Sequence, residues 1–457
     1  MRRWGLGATL AAVGLACAFF VAGYPSVIYD SWGYYYLAGI LRTAGLSGWP
    51  TDTRTYGYPL FLALVTGFRD LPAEEYRLVV FFAQLAAYLA ASAFVARRLA
   101  RIFGSPRLGL AAYALAALNP ILLLHATEPL SDLLSAVLIL LAVALSWRVP
   151  GVAAESAPAR DAFFSFFCAA AAVVVRPANI VVVAALVAVW LLRAVRFRDV
   201  GPRQGAAALA GLIPPFLPQV FINHHMFGTF NPLIEKNLYR LQVGWGMAAL
   251  KYGTLVMPDR SPFLVYTNPL YRGDASPAQF LRHHPFGYAA TLFLHGFGML
   301  DHDLPFTYVT DLAPWYRWPL ALTNFLLLFL ALAGLAAGIA RAARRRDMDE
   351  EGFVVASVAA VACAYAALYL PVEVESRFGL PLQALAMPLI IAGIAVVAGP
   401  GRRRSLARLL VLAAAPLALG AAVLLSAWIE RQRTNPFVES PANASVIDPR
   451  RAPRALP

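Results

Sequence analysis

Charge is scarce in this chain of 457 residues: 14% of them are charged, 60% are apolar, and the mean hydropathy is +0.62. A water-soluble domain cannot hide that much apolar surface, so a soluble class is excluded. Lysine is almost missing. Lys236 and Lys251 are the only two among 38 basic residues, which is a compositional bias and not a chemical signal. The three cysteines, Cys17, Cys168 and Cys363, fall inside apolar stretches with no CxxC pair and no ligand spacing, and they say nothing about redox compartment. There is no Walker loop and no GxGxxG in a strand-turn-helix setting, which disfavours a soluble nucleotide-sugar donor. No HExxH or finger spacing supports zinc. An internal repeat is also missing, which weakens a transporter built from inverted halves.

What the chain does have is long apolar runs, near 4–21, 78–95, 108–124, 130–147, 162–175, 180–192, 206–222, 318–340, 353–370, 380–398 and 406–427. Read as crossings of about 30 Å of hydrocarbon, they predict an all-α, polytopic transmembrane helical bundle of about 11 spans. The connectors 97–107, 148–160, 193–203, 341–346 and 402–408, with Arg2 and Arg3, carry 20 of the 38 basic residues, and by the positive-inside rule they face the cytoplasm. Seven of the 25 acidic residues share that side and 18 lie opposite. The net charge of +13 therefore sits on the inner face, where anionic lipid accounts for it, and no nucleic-acid partner is expected.

The runs 162–175 and 180–192 are short and separated only by Arg176-Pro177-Ala178-Asn179. Merging them would turn the later arginine-rich connectors outward, so two crossings are kept, with the N-terminus cytoplasmic and the C-terminus extracytoplasmic. The first run follows Arg2 and Arg3 as a secretory signal would, but no clear cleavage site precedes Gly23-Tyr24-Pro25, and it is expected to stay as a helix. Residues 1–427 are thus expected to form one transmembrane domain and 428–457 an extracytoplasmic tail. Two outer loops are large, 22–77 and 223–317. Within them Gly57–Val65 and Phe286–Leu300 are apolar but short, and both are expected to be interfacial helices.

The richest string for chemistry is Tyr29-Asp30-Ser31-Trp32-Gly33-Tyr34-Tyr35-Tyr36, just beyond the first run. In a helix Asp30 and Tyr34 share a face, so the carboxylate is placed to deprotonate an acceptor hydroxyl while rings such as Tyr34 and Tyr35 contact sugar or prenyl chain. An aromatic belt with a helix-capping aspartate fits the same pattern. Glu128 and Asp132 form a second pair of carboxylates four residues apart, at the start of a span. An ionisable group there is costly and so often functional, although a helix N-terminus also favours acids. Arg176 and Arg377 stand in short outer connectors otherwise poor in basic residues. Each offers a planar fork to a phosphate, or neutralises a carboxylate nearby, Glu373 or Glu375 in the case of Arg377. Lys236, Arg240 and Arg282 are further basic candidates in the large loop. Six of the seven histidines lie there too, and Asp301, His302 and Asp303 offer a possible divalent-cation site, against the commoner reading of a solvated loop.

In order along the chain, Asp30 with its aromatic run, GYPLFLALV, EPLSDLL and ESRFGLPL resemble the GT-C glycosyltransferases, in particular bacterial relatives of protein O-mannosyltransferases and of lipid A aminoarabinose transferase. The resemblance implies transfer of a sugar from a polyprenyl-phosphate-linked donor to a lipid, glycan or protein acceptor on the outer face of the inner (plasma) membrane. It implies a catalytic role for the acidic residue matching Asp30, a second active-site carboxylate at Glu128, and phosphate binding by arginines placed like Arg377. Asp30-Ser31 departs from the paired Asp-Glu common at the first position, which leaves the acceptor and metal assignments of the family open here. No cofactor is implied, and a divalent cation is the one candidate. Two rivals remain: a lipid or glycan transporter, which would place ionisable groups near the bilayer midplane, and a ligase or polymerase using a polyprenyl-diphosphate donor, which would centre on basic loop residues such as Arg240 and Arg282.

Overall fold

The computed structural model describes residues 2–150, 157–236, 238–257, 263–303, 307–344, 348–372, 374–398 and 402–434. The chain falls into two compact units. The first holds residues 1–238, 326–368 and 380–418, and the second 239–325, 369–379 and 419–457.

In the first unit, α1 (Arg2–Ala22), α2 (Tyr29–Thr43), α3 (Gly57–Val65), α4 (Ala73–Ile102), α5 (Pro106–Ala117), α6 (Pro120–His125), α7 (Ser131–Ser146), α8 (Ala157–Val175), α9 (Ile180–Phe197), α10 (Pro202–Leu212) and α11 (Leu217–Phe227) follow one another. The second begins with α12 (Tyr239–Ala248), β1 (Ala249–Thr254), β2 (Phe263–Thr267), α13 (Pro277–His283) and α14 (Pro285–Leu300). Four long helices follow in the chain, α15 (Arg317–Arg344), α16 (Glu350–Tyr369), α17 (Leu380–Ala398) and α18 (Arg402–Glu430), of which residues 326–368 and 380–418 belong to the first unit, and then β3 (Arg433–Thr434).

All eleven apolar runs are helical, and the fold is that of an all-α polytopic membrane protein. Eight helices among the described residues are long and apolar enough to cross a bilayer. The run 108–124 is broken: Asn119 caps α6 by accepting from the amides of Ile121 and Leu122, with Pro120 at the first helical position. The 16-residue α7 rises about 24 Å, short of a full crossing, and 13 of its residues are buried. Helix α7 is apolar on every side because α4, α8, α9 and α17 surround it. Pro177 to Asn179 form a single 3-10 turn between α8 and α9, so these two runs are separate helices as the charge pattern required.

The interfacial segments 57–65 and 286–300 are helices, α3 and α14. Tyr58, Leu62 and Ala63 of α3 pack on Tyr76 and Val80 of α4 and on Val175 of α8. Gly57 permits this approach, since a Cβ there would lie 2.3 Å from the Val174 carbonyl oxygen.

The second unit contains a small antiparallel sheet in the order β1-β2-β3, pairing Tyr252 with Val265 and Tyr266 with Arg433, with a bulge between Ala249 and Lys251. Its core gathers Leu250, Leu264, Tyr266, Leu294, Val309 and Ile429. Of the expected tail from Trp428, the first residues complete α18 and β3, and 435–457 lie outside the described residues.

Candidate functional site

Helix α2 starts at Tyr29, which holds φ +48°, a conformation uncommon for a residue with a side chain. Asp30 follows in the first turn and is partly exposed. Its Oδ1 accepts from Nη2 of Arg54 at 2.5 Å, and the Arg54 guanidinium lies over the Tyr34 ring, 4.5 Å from the centroid. Asp30 and Tyr34 thus do share a face, with Arg54 bridging them. The loop carrying Arg54 is pinned on both sides. The Trp49 indole N–H donates to the Arg54 carbonyl at 3.1 Å, and the buried Tyr56 hydroxyl donates to the Pro215 carbonyl at 2.5 Å.

The Tyr34 hydroxyl shares a 3.1 Å hydrogen bond with Ser131, the first residue of α7, and the Tyr34 ring meets Tyr58 edge-on at 4.9 Å. One residue on, Asp132 is buried and ion-paired with Arg176, which leaves the end of α8. Asn179 ties the same corner by donating to Ser135 at 2.8 Å and to the Ala172 carbonyl at 2.7 Å. Asp30, Arg54, Tyr34, Ser131, Asp132 and Arg176 therefore form one contiguous polar corner at the start of α7. Tyr35 is directed elsewhere, with its hydroxyl toward the Leu71 carbonyl (3.3 Å) and Asp70 (3.4 Å) and its ring edge-on to Tyr76.

Glu128 and Asp132 do not come together as a carboxylate pair. Pro129 interrupts the chain between them, so Glu128 precedes α7 in a turn closed by Leu130 N–H donating to its carbonyl at 2.8 Å, while Asp132 sits on the helix. The Glu128 carboxyl is buried, lies beside Gly23 at the end of α1, and has Arg77 of α4 as its charged neighbour. Among the described residues its Oε2 has no hydrogen-bond partner, and neither have Nε and Nη2 of Arg77, whose guanidinium covers the Phe20 ring. Burial pushes the carboxyl up to about 8, against the pull of Arg77, so Glu128 is largely neutral at pH 7. Gln84 holds this turn, donating to the carbonyls of Glu128 (2.8 Å) and Ala126 (3.2 Å) while accepting from Tyr58.

The other end of the first unit is arginine-rich. Arg98 donates to Asp161 at 3.0 Å and to the Trp147 carbonyl at 2.7 Å, and Arg193 to Asp199 at 2.8 Å and to the Ser146 carbonyl at 2.9 Å. Helix α7 runs from Asp132 to Ser146 and α8 runs back from Asp161 to Val175, so the two clusters occupy opposite ends of the same helices.

In the second unit, Arg377 is largely buried, its Nε donating to the fully buried Glu375 at 2.6 Å, and Thr307 donates to the other oxygen of Glu375 at 3.1 Å. Arg240 on α12 and Arg282 on α13 are exposed. Asp301 and Asp303 are buried and face cations of the chain itself. Lys251 Nζ lies 3.3 Å from Asp301 and 3.2 Å from Asp303, and Arg317 joins Asp303 (2.5 Å) to Glu430 (3.0 Å). This arrangement does not fit a divalent ion, because amine and guanidinium already occupy the carboxylates. Among the described residues no three His, Cys, Asp or Glu are grouped to hold a metal.

Sequence reasoning missed Arg54, Arg77, Ser131 and Lys251. Only Arg54 carried a usable signal, as a lone base three residues before GYPLFLALV. It was hidden because the first outer loop is long and also holds Arg42, Arg69 and Arg77.

The structure is thus a helical polytopic bundle with an acid-and-arginine corner at one end of α7 and α8. The model of the Alg9-like mannosyltransferase family matches residues 41–237, a segment that holds Arg54, Glu128, Asp132 and Arg176 but not Asp30 or Arg377. Among solved structures, the archaeal oligosaccharyltransferase AglB from Archaeoglobus fulgidus, in complex with an inhibitory peptide and a dolichol-phosphate, is similar with a TM-score of 0.50 at 13% identity over 97% of this chain. The chain spans 59% of the length of that protein. No curated protein matches the chain in sequence. The family model matches less than half of the chain, and the structural likeness, at 13% identity, shows the fold.

Proposed function

We propose that the protein transfers a sugar from a polyprenyl-phosphate donor to a hydroxyl acceptor on the extracytoplasmic face of the inner (plasma) membrane. The observation that carries this reading is the polar corner around Asp30, open to solvent and set at the opposite end of α7 and α8 from the arginine-rich cluster. By the positive-inside rule the arginine-rich end is cytoplasmic and the Asp30 corner is outside. The dolichol-phosphate bound by AglB supports a lipid-linked donor.

In this mechanism the Asp30 carboxylate accepts the acceptor's hydroxyl proton as its oxygen attacks the anomeric carbon. The carbon–oxygen bond to phosphate breaks, and polyprenyl phosphate leaves with the electron pair. The positive field of nearby arginines stabilises that departing charge. No nucleotide takes part, because the phosphate ester already activates the sugar. From sequence, Arg176, Arg240, Arg282 and Arg377 are candidates for an anionic head group, and of these four Arg176 alone belongs to Asp30's unit, where it pairs with the buried Asp132; Tyr34 and Tyr35 are candidates for the sugar or prenyl chain. Glu128 keeps its assignment as a second active-site carboxylate, with burial favouring its protonated form.

Release of polyprenyl phosphate from a labelled lipid-linked sugar tests this reading in detergent-purified wild type and Asp30→Asn, matched for monodispersity. Turnover should drop on the order of 10² to 10⁴-fold, the usual worth of a general base. Near-normal turnover in the variant would remove Asp30 from the mechanism.

A further inference from the structure

We propose that the notch between α2 and α3 seats the phosphate of an anionic membrane phospholipid and so anchors the first outer loop to the bilayer surface. This inference goes beyond sugar transfer and does not depend on it. Of the four arginines in that loop, Arg54 bridges Asp30 and Tyr34, and Arg77 stands beside Glu128. Arg42 and Arg69 belong to neither place, and they meet at the notch.

The notch holds about 240 Å³ and is lined by Tyr35, Gly39 and Arg42 of α2, Thr66 and Arg69 just past α3, and Tyr76 of α4. Sites that enclose a whole small ligand run to roughly 300–1,000 Å³, so this one suits a single group of a larger molecule. Gly67 and Phe68 both take positive φ, +62° and +56°, and turn the chain back toward α2. There the Arg69 carbonyl accepts from Nη1 of Arg42 at 3.1 Å, while Nη2 of Arg42 pairs with Asp70 at 3.0 Å. Asp70 is 71% exposed, and the exposed Arg69 side chain has no acid partner among the described residues. Two guanidinium groups against one carboxylate leave the rim with one positive charge in excess.

The inner wall asks for an oxygen. Tyr76 is 3% exposed, and its hydroxyl has no hydrogen-bond partner among the described residues. A buried hydroxyl left that way is costly, and a phosphate oxygen entering past the two arginines would accept from it. Gly39 keeps the entrance open. Glycine weakens a helix interior, and crowding does not demand it here, since an added Cβ would meet only Nη2 of Arg42, at 3.9 Å.

What surrounds the notch selects the partner. Trp32 and Tyr36 on α2, Leu64 on α3 and Phe68 beyond it are large, apolar and exposed. Tryptophan and tyrosine beside aliphatic side chains on a short helix are the pattern of a membrane interface. A positive rim at the edge of such a patch fits a molecule that is anionic at one end and oily at the other. A free anion or an acidic peptide would leave Leu64 and Phe68 against water, whereas the acyl chains of a phospholipid cover them.

The experiment titrates phosphatidylglycerol, with zwitterionic phosphatidylcholine as control, into the full-length detergent-purified protein and reads the lipid retained. Wild type, Arg42→Gln, Arg69→Gln, the double variant and Gly39→Leu are compared after a check for equal thermal stability. Wild type should prefer phosphatidylglycerol. Each single arginine variant should lose about five-fold in affinity, the worth of one basic residue at an anionic surface, and the double variant about 25-fold. Gly39→Leu keeps both charges but fills the notch, and it should lose the preference too. Wild-type affinity in the double variant overturns the proposal. An unaltered preference in a stable Gly39→Leu also overturns it, because surface charge alone would then explain the binding; should that variant unfold, the arginine variants decide. Inorganic phosphate competing as well as the lipid would reveal an anion site without lipid, and polyprenyl phosphate binding there more tightly than phosphatidylglycerol would make the occupant the donor's lipid. Either result removes the phospholipid assignment. Turnover in Asp30→Asn is read separately, so each reading can fail alone.

Discussion

Replacing Glu128 with glutamine should make the protein's stability less sensitive to pH, and the size of the effect follows from where the carboxyl sits. It is buried beside the end of α1, its Oε2 has no partner among the described residues, and its folded-state value stands near 8 against an ordinary 4.5. The fold therefore keeps a proton that the unfolded chain gives up. For an acid raised in this way, the contribution is fully favourable below about 4.5, declines as pH rises through the interval, and is gone above about 8. At 1.36 kcal/mol for each unit, the whole interval is worth roughly 5 kcal/mol as an upper figure. Glutamine keeps the shape and cannot ionise. Thermal unfolding in detergent between pH 5 and pH 9 should show wild type losing several degrees relative to Glu128→Gln as pH rises, with the two nearly equal at the acid end. All other titrating groups are common to both proteins, so the difference isolates Glu128. Parallel curves across that range would refute a neutral, buried Glu128.

Two further outcomes are expected. Lys251→Met in the second unit should destabilise by about 3 to 5 kcal/mol, since it leaves the buried Asp301 and Asp303 short of one cation; an unfolding midpoint equal to wild type would show that Arg317 alone suffices. A reporter active only in the cytoplasm, fused after Pro457, should be silent because the arginine-rich ends place the C-terminus outside, and strong activity would reverse the assigned orientation.

Long periodic apolar runs made the bundle legible, because bilayer thickness imposes a length on each crossing that composition alone reveals. The separation of α8 from α9 was legible for another reason: the charge rule couples every connector to the next, so one merged helix would have inverted three arginine-rich loops. The β-sheet was not legible. Ala249–Thr254 and Phe263–Thr267 are short, and a short apolar run in a loop reads equally as strand or helix until its partner is known. Of the corner, Asp30 and Tyr34 were found by helical spacing, Asp132 by the rarity of charge in a membrane segment, and Arg176 by the scarcity of basic residues in short outer connectors. Their pairing was not, because each partner comes from a different helix. Glu128 shows the limit of spacing arguments. Four residues separate it from Asp132, yet Pro129 stops the helix between them and sends the two carboxyls to different neighbours.

Arginine meets carboxylate at both ends of the first unit, and the difference between those meetings separates scaffold from chemistry. At the arginine-rich end each guanidinium also takes a helix-terminal carbonyl, Trp147 for Arg98 and Ser146 for Arg193, so removing either arginine would strand a backbone acceptor as well as an acid. Those residues are committed to holding α7 in place. Arg176 is committed in a similar way, because Asp132 is buried and has no aqueous alternative. Arg54 differs in exposure, since its side chain and that of Asp30 are both partly open to solvent. Its loop is fixed by Trp49 and Tyr56 through backbone atoms and a tyrosine hydroxyl, and its guanidinium is left on an aromatic platform with an exposed acid as partner. A pair built that way contributes little to stability. It is also the pair in this corner that solvent and substrate can reach, which is why Asp30 and Arg54, and not the buried bridges around them, are where turnover should be most sensitive to substitution.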